Sequence, residues 1–192
     1  MSSPEPPELG RAHRAFDRLY PVIRFTYEQL LSQAWFSLIE PRLWLGGAPS
    51  YQRDYEAIRR LEITAVLDTR AERGSDIAFY ERHGITHRKF PVPDVTVPDA
   101  GVLTEAVAWI DDQLADGRTV LIHCAKGRGR SATVLAAYLM RTEGMSFDAV
   151  RDLLRSRRAL VKLEDRHRRV LESWIATNDV PVPADGTVRH AR

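Results

Sequence analysis

Cysteine is the scarcest residue in this chain, with one among 192, so no internal disulfide can form. A disulfide-held secreted scaffold is therefore excluded, and the single thiol is left for chemistry in a reducing compartment. Long apolar runs are also missing: no stretch approaches the roughly 18 to 20 residues that a membrane span needs. Met1 to Glu8 is proline-rich and acidic and has no apolar signal-peptide core. Charge of one sign is lacking too, because 28 Lys and Arg against 26 Asp and Glu leave +2 at pH 7, and nothing in that balance calls for nucleic acid as a partner. No internal repeat and no dividing linker is visible. These absences predict one cytoplasmic domain, with peripheral contact to an anionic membrane left open.

What is present is 44% hydrophobic residues, enough for an ordinary globular core. Residues 1–10 are expected to be a disordered tail, 11–178 a single domain with an N-terminal helical arm, and 179–192 a loose tail. The arm, Arg11 to Phe36, places Phe16, Leu19, Ile23, Tyr27, Leu30, Leu31 and Ala34 at spacings of three and four, with a break near Pro21. Strand character is expected at Arg42 to Leu45, stopped by Gly46 and Gly47, and again at Ile63 to Asp68, Ile85 to Val92 and Thr119 to Ile122. Helices are expected at Tyr55 to Leu61, Asp76 to His83, from near Ala100 to Asp116, Ser131 to Thr142, Ser146 to Arg157 and Glu164 to Thr177. Strands alternating with helices predict an α/β fold with a central, mainly parallel sheet flanked by helices.

The one cysteine stands in His123-Cys124-Ala125-Lys126-Gly127-Arg128-Gly129-Arg130-Ser131, between the apolar run ending at Ile122 and the helix-forming run from Ser131. A phosphate ester is held best by many N–H donors converging on one point. A strand that turns sharply into a helix supplies them, since the first helical N–H groups are unpaired and the dipole adds partial positive charge. Gly127 and Gly129 allow close backbone approach, and Arg130 adds a planar fork for two oxygens. The candidate substrate-binding residues are His123, Ala125, Lys126, Gly127, Arg128 and Gly129, with His123 orienting the loop rather than moving protons. In that field a thiol that ordinarily titrates near 8.5 falls to roughly 3.5 to 7.5. Cys124 is then a thiolate able to attack phosphorus and form a phosphocysteine.

The leaving group needs a proton and the second step needs an activated water; one carboxyl can serve both. Asp94 and Asp99 both lie in the loop Pro91 to Asp99. Asp94, 30 positions before Cys124, follows a strand end and can hang over the loop, whereas Asp99 is placed to cap the helix beginning near Ala100. Ser131 can hydrogen-bond the sulfur and ease its departure. No Gly-Lys-Ser/Thr ending is present, which argues against a nucleotide-binding Walker loop.

His123-Cys124-x5-Arg130-Ser131 resembles the active-site motif of the protein tyrosine phosphatase superfamily, in its dual-specificity branch. The resemblance runs from about residue 40 to 175 and includes Trp44-Leu45-Gly46-Gly47, Val66-Leu67-Asp68, the Asp94 loop and Ser131-Ala132-Thr133 opening a helix. Within that branch the likeness is to the mitochondrial-type phosphatidylglycerophosphate phosphatase group, through Tyr20-Pro21, Leu45-Gly46-Gly47-Ala48-Pro49 and Gly127-Arg128-Gly129-Arg130-Ser131. It implies metal-independent hydrolysis without a cofactor, with Cys124 as nucleophile, Arg130 as phosphate clamp and Asp94 as general acid, acting on a phosphorylated lipid or protein. Where relatives often have Arg-Pro-x-Gln, this chain has Glu164-Asp165-Arg166-His167, and a water-positioning glutamine is absent.

Two other classes use the same loop. A non-catalytic module holding a phosphorylated partner is opposed by the intact Cys124, Arg130 and Asp94, and a thiol oxidoreductase or sulfur transferase lacks a second cysteine. Residues 151–169 carry eight Arg or Lys against three acids, a solvated helix face or an attraction to anionic lipid.

Overall fold

The computed structural model describes residues 22, 24–30 and 34–178. The tails expected at 1–10 and 179–192, and most of the arm, lie outside the described residues. Five strands, β1 (Phe36–Glu40), β2 (Leu43–Gly47), β3 (Ala65–Arg70), β4 (Thr86–Val92) and β5 (Val120–Cys124), stand in the order β1-β2-β5-β3-β4. β1 runs antiparallel to β2, and the other three pairings are parallel, which gives the mainly parallel sheet expected from the alternation of strands and helices.

Among the described residues a short π-helix, Thr26–Leu30, precedes the sheet, and six α-helices surround it: α1 (Gln52–Arg60), α2 (Ile77–Arg82), α3 (Ala100–Ala115), α4 (Arg130–Thr142), α5 (Phe147–Arg157) and α6 (Asp165–Thr177). Side chains start three of them, since Asp76, Asp99 and Ser146 accept the N–H of Phe79, Val102 and Ala149. Alternation along the central strands sorts the core into two layers. Ala65, Leu67, Val120 and Ile122 pack with the helices α3 to α6, whereas Val66 and Leu121 pack with Tyr27, Trp35, Ile58, Phe79 and Tyr80 on the other face. Ten of the thirteen residues of α4 are buried, so the helix that begins at the cysteine loop is also the centre of the larger layer.

Two expectations need correction. Phe36 does not end a helical arm; it opens β1, an edge strand whose five residues are too short to stand out by periodicity. Gly46 and Gly47 do not stop β2 but belong to it. A Cβ on Gly46 would collide with the ring of Phe36, and one on Gly47 with the ring of Trp35. The glycines are there so that two aromatic rings can lie on the strand.

Candidate active site

Parallel pairing brings the C-terminal ends of β2, β3 and β5 together, and Gly47, Asp68 and His123-Cys124 meet at that edge. Cys124 is the last residue of β5, and the chain then turns through residues 125–129 into the first turn of α4. Its Sγ accepts the N–H of Gly127 at 3.2 Å and the hydroxyl of Ser131 at 3.3 Å. Burial pushes the thiol up. The charge of Arg130, the hydroxyl and N–H of Ser131 and the N–H of Arg128 outweigh it and hold the thiol below its ordinary value.

A loop whose N–H groups converge must turn its carbonyls outward, and each needs a donor. Ala125 O takes the N–H of Ala48 and Arg128 O that of Lys162, while Gly129 O takes the N–H and hydroxyl of Thr133. The carbonyls of Lys126 and Gly127 are held by Arg158.

Arg130 is 4% exposed, and Glu72 accepts from both its terminal nitrogens, at 2.6 Å from Nη1 and 2.8 Å from Nη2. Nη1 also donates to Val92 O at 2.9 Å, and Asp94 Oδ1 stands 3.0 Å from Nη2. Burial pushes Glu72 up, but Arg130 more than offsets this and lowers it. Asp94 sits in a turn where Thr96 hydrogen-bonds Pro93 O, and the next residue, Val95, has φ 58°, a left-handed conformation that a β-branched residue rarely adopts. Arg166 of α6 donates to Val95 O at 2.7 Å and ties this turn down over the cavity. Asp99 caps α3, away from the sulfur.

The cavity holds about 280 Å³ and is lined on one side by Cys124, Ala125, Lys126, Arg128, Gly129 and Arg130. Asp94, Val95 and Thr96 close it on a second side, and Lys162, Arg166 and His167 on a third. Three of the residues read from the sequence lie behind it. Gly127 faces the protein, Ser131 is beneath the sulfur, and His123 is wholly buried beside Asp68, at 3.7 Å, with Nδ1 3.4 Å from Cys124 O. Burial pushes His123 down to about 4 against the opposing charge of Asp68. The imidazole is neutral at pH 7, so Arg70, which grips Asp68 at 2.8 Å, is the cation that keeps that buried carboxylate ionised.

His167, which occupies the position where the sequence lacks a water-positioning glutamine, lies on the cavity. Its Nδ1 accepts the N–H of Glu164 at 2.9 Å, which places the ring proton on Nε2, and a Cβ on Gly129 would lie 3.8 Å from that nitrogen. Burial, helped by Arg166, pushes its pKa down. Among the described residues no three His, Cys, Asp or Glu gather in a way that would hold a metal ion.

Glu72, Arg158 and the pair Asp68 and Arg70 were not singled out from the sequence. Glu72 follows a strand end on the same sheet edge as Cys124, a signal that needs the strand order. Arg158 lies in a run of eight cations where nothing in the spacing sets it apart. The structure separates them: Arg151, Lys162, Arg166 and Arg168 are in ion pairs, Arg158 is buried, and Arg155, Arg157 and Arg169 are exposed.

A lowered thiol at the mouth of a strand-loop-helix anion cradle, with a buried arginine and a carboxyl above it, defines a cysteine-based phosphatase. Residues 43–176 match the family model for the dual specificity phosphatase catalytic domain, and the chain belongs to that family. It is 31% identical over 160 residues to phosphatidylglycerophosphate phosphatase PTPMT2 of Arabidopsis thaliana, covering 81% of this chain and 68% of that protein. It is 32% identical over 131 residues to dual specificity protein phosphatase 12 of Mus musculus, covering 66% of this chain but only 37% of that protein. The chain thus spans little more than a third of the latter. Among solved structures, Tk-PTP in its active form has a TM-score of 0.66 at 28% identity, covering 73% of this chain and 95% of that one. PTPMT1 has the same TM-score at 22% identity, covering 74% and 95%, and shares the fold.

Proposed function

We propose that this protein hydrolyses phosphate monoesters through a phosphocysteine, with Cys124 as nucleophile, Arg130 as clamp and Asp94 as acid and base. The observation that carries this is the sulfur held by Gly127 N–H and Ser131 hydroxyl, with Arg130 and Asp94 on the same cavity. A phosphate dianion enters the ring of loop N–H groups and competes with Asp94 for Nη2 of Arg130. The displaced carboxylate takes a proton from solvent and, now the acid, meets the leaving oxygen. The thiolate bonds to phosphorus as the ester P–O bond breaks, and Asp94 delivers its proton to that oxygen. In the second step Asp94 takes a proton from water, the water oxygen bonds to phosphorus and the S–P bond breaks. Ser131 then hydrogen-bonds the returning thiolate. His167 presents a neutral Nε2–H at the rim and positions that water in place of glutamine.

Phospholipid head groups are the favoured substrates. The rim cations Lys126, Arg128, Lys162 and Arg166 suit a polyanion, and the Arabidopsis relative is a phosphatidylglycerophosphate phosphatase. The need for a reduced thiol fits the cytoplasm. Contact with an anionic membrane draws on Arg155, Arg157 and Arg169. The deciding experiment is metal-free hydrolysis of phosphatidylglycerophosphate, phosphoinositides, phosphopeptides and nucleotides by the purified chain. Fastest turnover of a phospholipid is expected. Turnover of phosphopeptides alone would make it a protein phosphatase, and phosphate binding without turnover of any monoester would make it a binding module.

A further inference from the structure

Arg158 is wholly buried at the C-terminal end of α5, behind the cysteine loop. Its Nη2 donates to Lys126 O at 2.9 Å and its Nε to Gly127 O at 3.0 Å. The opposite ends of those two peptide units are the N–H groups of Gly127 and Arg128. The first donates to Cys124 Sγ at 3.2 Å, and the second also bears on that sulfur. A trans peptide is planar and its C=O and N–H point in opposite directions, so an anchored oxygen fixes the aim of the hydrogen. The third nitrogen, Nη1, donates to Trp35 O at 3.0 Å and to Ser37 Oγ at 3.3 Å. The rings of Tyr27 and Trp35 lie 5.2 and 5.6 Å from its Cζ. These partners precede residue 43, where the match to the family begins.

We propose that Arg158 is a positioning residue, which holds from behind the two peptide units aimed at Cys124 and ties their aim to the segment around Trp35 and Ser37. A cation on the carbonyl side also polarises both peptides and strengthens their N–H groups as donors. Gly127, at φ 63°, has no room for a Cβ, which would collide first with the backbone carbonyl of Gly46 and would also stand 2.8 Å from Arg158 Nε. Rotation of either peptide would take one donor from the sulfur.

The proposal rests on Cys124 being a reactive thiolate, and its test reads the thiol without a substrate. Cys124 is the only thiol in the chain, so the pH dependence of its alkylation by iodoacetamide reports one group. The variants are Arg158→Met, Arg158→Lys and, as a control for lost stability, Val107→Ala in the core of α3. The expected alkylation midpoint rises by about one pH unit in Arg158→Met and by less in Arg158→Lys, whose single nitrogen serves one carbonyl. The acid limb of kcat/KM moves with it, and Val107→Ala leaves both in place. Should Arg158→Met fail to fold, Arg158→Lys decides by the same two readings. Folded variants that keep the wild-type midpoint overturn the proposal. A wild-type midpoint at the ordinary thiol value overturns the nucleophile reading together with it.

Discussion

At the scale of single residues the chemistry depends on groups that each face two partners. Asp94 is shared between Arg130 and the cavity, and in the proposed mechanism its loss removes the proton donor without emptying the cradle. Asp94→Ala is expected to lower kcat about 10²- to 10⁴-fold, the usual range for general acid catalysis. Cys124→Ser is expected to abolish turnover while phosphate binding persists, read by calorimetry; turnover in that variant would remove the cysteine from the mechanism. Glu72 is the less obvious case. It accepts from both terminal nitrogens of Arg130 and sets where the guanidinium points. Glu72→Gln is expected to raise KM for a monoester about tenfold through loss of a charge-assisted pair. An unchanged KM in steady-state assays would show that Val92 O suffices to hold the arginine. Residue type and spacing led to the expectation that Cys124, Arg130 and Asp94 share one site, and the three line one cavity. Glu72 was not legible in this way, because a carboxylate gains this role only from the strand that carries it.

At the scale of elements, most strands and helices follow from local patterns, and the exceptions have identifiable causes. Apolar runs such as Val120 to Ile122 are buried on both faces of a parallel sheet and carry their assignment in their composition. β1 is an edge strand, and its pairing with β2 depends on the aromatic rings that Gly46 and Gly47 admit. Gly47→Ala is therefore expected to destabilise the fold by about 1 to 3 kcal/mol through overpacking against Trp35. Gly74→Ala, with nothing within 4 Å of the added carbon, serves as its control. Urea denaturation checks both, and equal midpoints for the two variants would show that Trp35 moves aside without strain.

At the scale of the whole molecule, burial of titratable groups around the site makes stability depend on pH. His123 falls from 6.5 to about 4 in the fold, and burial also pushes His87 and His167 down. The unfolded chain therefore binds more protons than the folded one between about pH 4 and 6.5, and stability falls as pH falls through that window. His123 alone is expected to account for about 3 kcal/mol of the loss. Denaturation at a series of pH values checks this, and a flat profile from pH 7 to 4.5 would show that the buried imidazole takes up its proton without penalty. The basic run at 151–169 shows how charge in a sequence is divided by the fold. One of its cations is sealed behind the loop and four are matched to carboxylates.

The order of residues determined by itself the strand-loop-helix turn, the anion cradle and the thiol in its field, because those properties arise within nine consecutive residues. The tertiary structure decided which carboxylate steers Arg130, which cation stands behind the loop and which rings lie on Gly46 and Gly47. Each of those pairings joins segments far apart in the chain, and only the strand order and the packing of the helices bring them within reach.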